Sequence, residues 1–165
     1  YGPAPIGVVE AQTRSCKYRS ATVSTNFEGS AVGPNQSCTT PALTPLSSDR
    51  VQLLAEIDKL VASGNTNISE GAAWAWRVLS PTAPFMEGRS YNDRSNKKIM
   101  IVMTDGDNMF ATRPTHNASV YAAYGYGAQN RLSSTYSSAA FNAGLNSKTL
   151  SVCGNAKEEG ITVYT

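Results

Sequence analysis

Five consecutive apolar residues, Ile99, Met100, Ile101, Val102 and Met103, follow Lys97 and Lys98 and stop at Thr104, Asp105 and Gly106. A run of that length without polar alternation is what a strand shows when both its faces are covered, as in a parallel sheet packed by helices. A second such strand is expected at residues 161–165, directly after Gly160. Between the two, residues 147–159 fit a helix that turns Leu150, Val152 and Cys153 inward. Strand, helix and strand with a long connection make a parallel crossover, right-handed in nearly all proteins. The expected fold class is α/β.

Two helices are expected upstream. Leu53, Leu54, Ile57, Leu60 and Val61 recur at helical spacing, which predicts a helix over residues 48–63 with one buried face. Ser47 or Ser48 can cap its first turn and Gly64 supplies the stop. Ala72, Ala75, Trp76 and Leu79 repeat the pattern in a helix over residues 68–79, ended by Ser80 and Pro81. A tight Gly64-Asn65-Thr66 corner joins the two. Residues 107–146 are long and tyrosine-rich, and are expected to form an excursion from the crossover with one short helix at 137–145; loops of that length are usually functional or mobile.

Residues 1–46 are interrupted by Pro3, Pro5, Pro34, Pro41 and Pro45, which predicts a loop-rich insertion with a small hairpin around residues 21–27. Residues 47–165 then form the main domain. At 165 residues the chain can bury roughly two thirds of its unfolded surface around one core. Of the three cysteines, Cys16 and Cys38 lie in the insertion, where a bridge between them would restrict the unfolded chain by roughly 3 kcal/mol. The alternative is two thiols. There is no C-x-x-C pair and no metal-finger spacing, so a zinc site is not expected.

Only 16% of residues are charged, against about 25% in ordinary soluble domains. The net charge of +2 is spread without blocks, which argues against nucleic-acid binding and against a polybasic membrane segment. Ser, Thr and Asn fill 46 positions, an uncharged polarity more usual outside the cytoplasm. No apolar run approaches the roughly 18 residues that span a bilayer. The first residue is Tyr1, so a membrane anchor is expected only outside this sequence.

In an open parallel sheet, ligands collect at the carboxyl ends of the strands. Asp105 stands at that edge, followed by Gly106, Asp107 and Asn108. A hard cation such as Mg²⁺ takes carboxylates, hydroxyls and retained waters, and one strand-end Asp with a loop Thr hydroxyl suits it. D-G-D also fits an ordinary turn, and Thr66 also fits a helix cap. Gly125-Tyr126-Gly127 and Ser147-Lys148-Thr149 lack the glycines of nucleotide loops, so no nucleotide site is expected. Trp74 and Trp76 read as packing residues, and His116 as a loop residue.

Several segments together resemble one family: Gly64-Asn65-Thr66, then Gly71 and Trp74-Ala75-Trp76-Arg77-Val78-Leu79-Ser80-Pro81, then Lys98 through Asn108, then Tyr121 through Gly127, and finally Cys153 through Lys157 with Gly160 through Thr165. The chain from about residue 45 is similar to a von Willebrand factor type A domain, of the kind found in bacterial tight-adherence pilus assembly proteins. The resemblance implies a doubly wound sheet with helices on both faces. It also implies a metal-ion-dependent adhesion site at the carboxyl edge, holding Mg²⁺ (or Mn²⁺ or Ca²⁺), with Thr66 and Asp105 as ligands and Gly106, Asp107 and Asn108 around them. The family's D-x-S-x-S loop has no counterpart; Asp93-Arg94-Ser95-Asn96 comes closest. The expected site is therefore short of protein ligands and the domain incomplete.

The function expected is a non-enzymatic, extracytoplasmic binding module, membrane-anchored in the full-length protein, whose metal takes a carboxylate from a pilus or envelope protein. A Mg²⁺-dependent phosphoesterase using Asp105 and Asp107 is one alternative. A metal-free scaffold working through residues 121–126 is another.

Overall fold

The computed structural model describes residues 24–25, 31–32, 40–62 and 64–165. The chain divides into two compact units, Tyr1–Thr40 and Pro41–Thr165. In the first, β1 (Ser24–Thr25) pairs antiparallel with β2 (Ala31–Val32), Ser24 opposite Val32 and Thr25 opposite Ala31. β1 falls within the segment expected as a hairpin. Cys16 and Cys38 lie outside the described residues, so their pairing does too.

The second unit is mixed α/β, with three helices and a two-stranded parallel sheet among its described residues. β3 (Ile99–Ile101) pairs with β4 (Thr162–Tyr164), Met100 opposite Val163. The pairing extends through Thr162 N–H to the Lys98 carbonyl and Val102 N–H to the Tyr164 carbonyl, each at 2.9 Å. On one face Met100 is 2% exposed and packs with Ile161, Ala72 and Ala156. The opposite face is bare: Ile101 is 67% exposed, and Ile99, Met103 and Tyr164 are exposed as well. The expectation of a strand covered on both sides is corrected here. Apolarity at every position records the capacity for two covers, and the described residues supply one.

α1 (Arg50–Asp58) is shorter than the expected span of 48–63, and none of its residues is buried. Its cap is Asp49, whose Oδ1 accepts from Gln52 N–H at 3.0 Å, while the Ser47 hydroxyl accepts from Asp49 N–H. Leu54, Ile57, Leu60 and Val61 are exposed, so the stripe that promised a buried face has no partner among the described residues. Most helical stability comes from packing of such a face. Without it the helix ends at Asp58, where Lys59 N–H closes onto the Glu56 carbonyl and Leu60 N–H onto the Ile57 carbonyl. Gly64, the expected stop, sits at φ +82° in the corner beyond.

α2 (Ile68–Leu79) has the expected bounds and lays Ala72, Ala75, Trp76 and Leu79 on the sheet. α3 (Ser138–Glu158) is a single helix of 21 residues, where one short helix and one longer one were expected. Ser137 caps it by accepting from Ala140 N–H. Its buried residues are Phe141, Leu145 and Ala156, with Val152 and Cys153 packed against the sheet core. At roughly 100° per residue, Leu150 falls about 180° from Phe141. It is 75% exposed, which corrects the expectation that it points inward.

α3 also ties the excursion down. Phe110, Phe141 and Leu145 form a second core joined by Ala122, Tyr124 and Leu132. The Tyr124 and Ser69 hydroxyls share a hydrogen bond of 3.0 Å, linking the excursion to α2.

Two glycines of α3 make a matched experiment. Nothing lies within 4 Å of where a Cβ on Gly154 would stand, whereas a Cβ on Gly144 would lie 2.5 Å from the Leu132 carbonyl oxygen. Gly154→Ala is expected to stabilise by about 0.5–1 kcal/mol through lower backbone entropy. Gly144→Ala is expected to destabilise by about 1–3 kcal/mol through overpacking. Thermal melts of both variants check this, and shifts of the same sign would contradict the close approach of α3 to Leu132.

Candidate metal centre

β3 delivers the chain to Thr104 and Asp105 at its carboxyl end. Thr104 folds the loop back on itself: its hydroxyl donates to the Gly106 carbonyl at 2.8 Å and accepts from Gly106 N–H at 3.2 Å. That leaves Thr104 committed to the turn, while the carboxylates of Asp105 and Asp107 stand exposed on either side of Gly106. Neither carboxylate takes part in an ion pair or hydrogen bond among the described residues; the ion pairs there are Lys59–Glu56, Arg77–Glu70 and Arg89–Asp93.

Thr66 comes to the same loop from the start of α2. The cap of α2 is Asn67, whose Oδ1 accepts from Glu70 N–H at 3.2 Å, so the capping role considered for Thr66 belongs to its neighbour. The Thr66 hydroxyl lies against Gly106, where a Cβ would stand 3.8 Å from Oγ1. It makes no hydrogen bond among the described residues. The two loops are clipped together twice. Met109 N–H donates to the Thr66 carbonyl at 2.9 Å, and Ile68 N–H donates to Asn108 Oδ1 at 2.8 Å.

Asn108 is only 4% exposed. Its Nδ2 donates to Asn146 Oδ1 at 2.9 Å and to Thr149 Oγ1 at 3.1 Å, both on α3, and the Thr149 hydroxyl donates in turn to the Leu145 carbonyl. Sequence reading placed Asn108 near the site but gave no sign of Asn146 and Thr149. Both are polar residues of a helix, and only the fold sets them opposite Asn108.

Beside Thr66, a cavity of about 240 Å³ runs between the first turns of α2 and residues 101–104 of β3 and its loop. Asn67 and Ile68, at the amino end of α2, are part of its lining.

Asp93-Arg94-Ser95-Asn96, the nearest approach to a D-x-S-x-S loop, precedes β3 and so lies toward its amino end. Asp93 Oδ1 accepts from Ser95 N–H and Ser95 Oγ at 2.9 and 2.6 Å, and its other oxygen pairs with Arg89. The Ser95 hydrogen bonds, with Arg89 nearby, hold the Asp93 carboxyl below its ordinary pKa. It caps a turn and is not brought to Thr66.

Among the described residues no group of three or more His, Cys, Asp or Glu gathers. What Thr66, Asp105 and Asp107 offer is a small set of hard oxygen donors with free coordination directions. That fits a cation retaining most of its waters, in the manner of Mg²⁺, better than a softer metal. Trp74 and Trp76 are engaged in packing, with Nε1 donating to Glu70 and to the Tyr91 hydroxyl respectively. Compared with family models, curated proteins and solved structures, the chain matches none.

Proposed function

We propose that the chain serves as an extracytoplasmic binding module in pilus assembly, built on a doubly wound sheet of the von Willebrand factor type A kind. In this reading Thr66 Oγ1 and the Asp105 carboxylate hold a divalent cation, with Asp107 beside them. When bound, the cation offers a coordination position that a carboxylate of a protein partner completes. No bond is made or broken, so no general base is needed.

The observation that supports this reading is the Thr66 hydroxyl, which makes no hydrogen bond among the described residues and lies against Gly106, the residue between Asp105 and Asp107 in the sequence. A Cβ at Gly106 would stand in ordinary contact with Thr66 Oγ1, so the loop and the hydroxyl are direct neighbours. The resemblance of residues 64–81 and 98–108 to the family supports the same assignment.

Titration of the chain with Mg²⁺ and Mn²⁺ by calorimetry tests it. Asp105→Ala is expected to weaken binding at least tenfold, and Thr66→Ala several-fold, with both variants melting near the unaltered chain. Heats that are the same in all three proteins would count against a site at this edge.

A further inference from the structure

For Thr66 and Asp105 to share a cation, two loops separated by all of α2 and all of β3 must be kept at a fixed spacing. Neither loop holds the other through a side chain of its own ligands. The connection runs through Asn108, which accepts from Ile68 N–H on the Thr66 side and donates twice to α3. We infer that Asn146 and Thr149 of α3, acting through Asn108, are positioning residues for the Thr66–Asp105 site. The inference rests on the metal reading for its function and on the hydrogen-bond network for its geometry.

The amide of Asn108 can serve both sides only in one orientation. Its oxygen must face Ile68 N–H, so its NH₂ must find two acceptors, and Asn146 Oδ1 and Thr149 Oγ1 are those acceptors. Thr149 is fixed as an acceptor because its own proton goes to the Leu145 carbonyl. If Asn146 and Thr149 are removed, the amide loses its orientation and the Ile68 bond loses its fixed acceptor. The Met109–Thr66 bond alone then spans the two loops. A buried network of this kind specifies one arrangement when all its members are satisfied.

Four variants decide the matter: Asn108→Ala, the milder Asn146→Ala and Thr149→Val, and Phe141→Leu as a control that loosens the second core without touching the network. Two readouts are taken from each, the Mn²⁺ dissociation constant by calorimetry and the amide exchange rates of Ile68 and Met109.

Asn108→Ala is expected to weaken Mn²⁺ binding about tenfold and to speed exchange at both amides. Asn146→Ala and Thr149→Val should each weaken binding a few-fold with the same exchange signature. Phe141→Leu should lower the melting temperature and leave the affinity unchanged.

Affinities in the Asn146 and Thr149 variants equal to that of the unaltered chain overturn the inference, as does an equal loss in Phe141→Leu. If the unaltered chain takes up no Mn²⁺, the metal reading fails and the functional role inferred for α3 fails with it. The exchange rates then judge the clamp separately, and unchanged protection at Ile68 and Met109 shows that it does not exist either.

Discussion

Phe141→Ala is expected to cost about 3–5 kcal/mol, the range for removing a large aromatic side chain from a packed interior. Phe141 is fully buried. Its ring meets Phe110 at a centroid distance of 4.9 Å, and a Cβ on Gly127 would lie 2.6 Å from its Cζ, so the site is filled to contact from two directions. Phe110, Ala122, Tyr124 and Leu132 all belong to the excursion and have α3 as their floor. Truncation therefore opens a cavity and detaches the excursion together. Urea unfolding followed by tryptophan fluorescence and by far-ultraviolet dichroism measures the loss. A cost under about 1 kcal/mol would mean that the second core collapses to fill the space, contrary to the tight approach at Gly127.

Lys98→Met should cost about 2–4 kcal/mol, although it keeps the length of the side chain and removes a charge. The Lys98 ammonium is buried, donates to the Leu79 and Arg89 carbonyls, and lies 4.9 Å from the centre of the Tyr91 ring. It pins the segment between α2 and β3 to the end of α2. Methionine leaves both carbonyls without that donor.

Burial lowers the Lys98 pKa below its ordinary value of 10.5, with Asp93 acting in the opposite direction. Between the lowered folded value and 10.5 the unfolded chain binds more protons than the folded one. This group's contribution to stability therefore rises with pH across that alkaline window. Lys98→Met should remove that slope as well as lowering the unfolding midpoint. An unfolding free energy from urea titration within about 0.5 kcal/mol of that of the unaltered chain would show that the two carbonyls find other donors, since surface-like substitutions fall in that range.

The periodic parts of the chain were legible from residue order. α2 ends where Ser80 and Pro81 end it, and the parallel pairing of β3 with β4 follows from two apolar runs and a helix between them. Periodicity did not reveal what covers an apolar face. Ile99, Ile101 and Met103 read as core residues, as did Leu54 and Ile57, yet all five are exposed. Residue type reports a capacity for burial, whereas burial depends on a second layer that these segments do not encode.

The union of two expected helices into α3 has a local cause. Gly144, Asn146 and Ser147 look like a break, but Gly144 is required by the approach to Leu132 and Asn146 by Asn108. Tertiary contacts thus carry the helix through residues of poor intrinsic propensity.

The candidate site divides in the same way. Asp105 stood out in the sequence by its place at a strand end, whereas Thr66 was named only through the resemblance to a family; the structure sets the Thr66 hydroxyl against Gly106, next to Asp105. Lys98 and Asn108 were not legible in their roles. A buried polar side chain is defined by its partners, and those partners lie as far away in sequence as Thr149 is from Asn108.

The most direct measurement is a titration of the isotope-labelled chain with Mn²⁺, followed by paramagnetic broadening of its amide resonances. A cation shared by Thr66 and Asp105 broadens Thr66, Asp105 and Gly106 together at the lowest metal concentrations, while Ser95, before the amino end of β3, stays sharp. Broadening that begins around Asp93, or that spreads over exposed carboxylates without favouring the end of β3, would contradict a shared site.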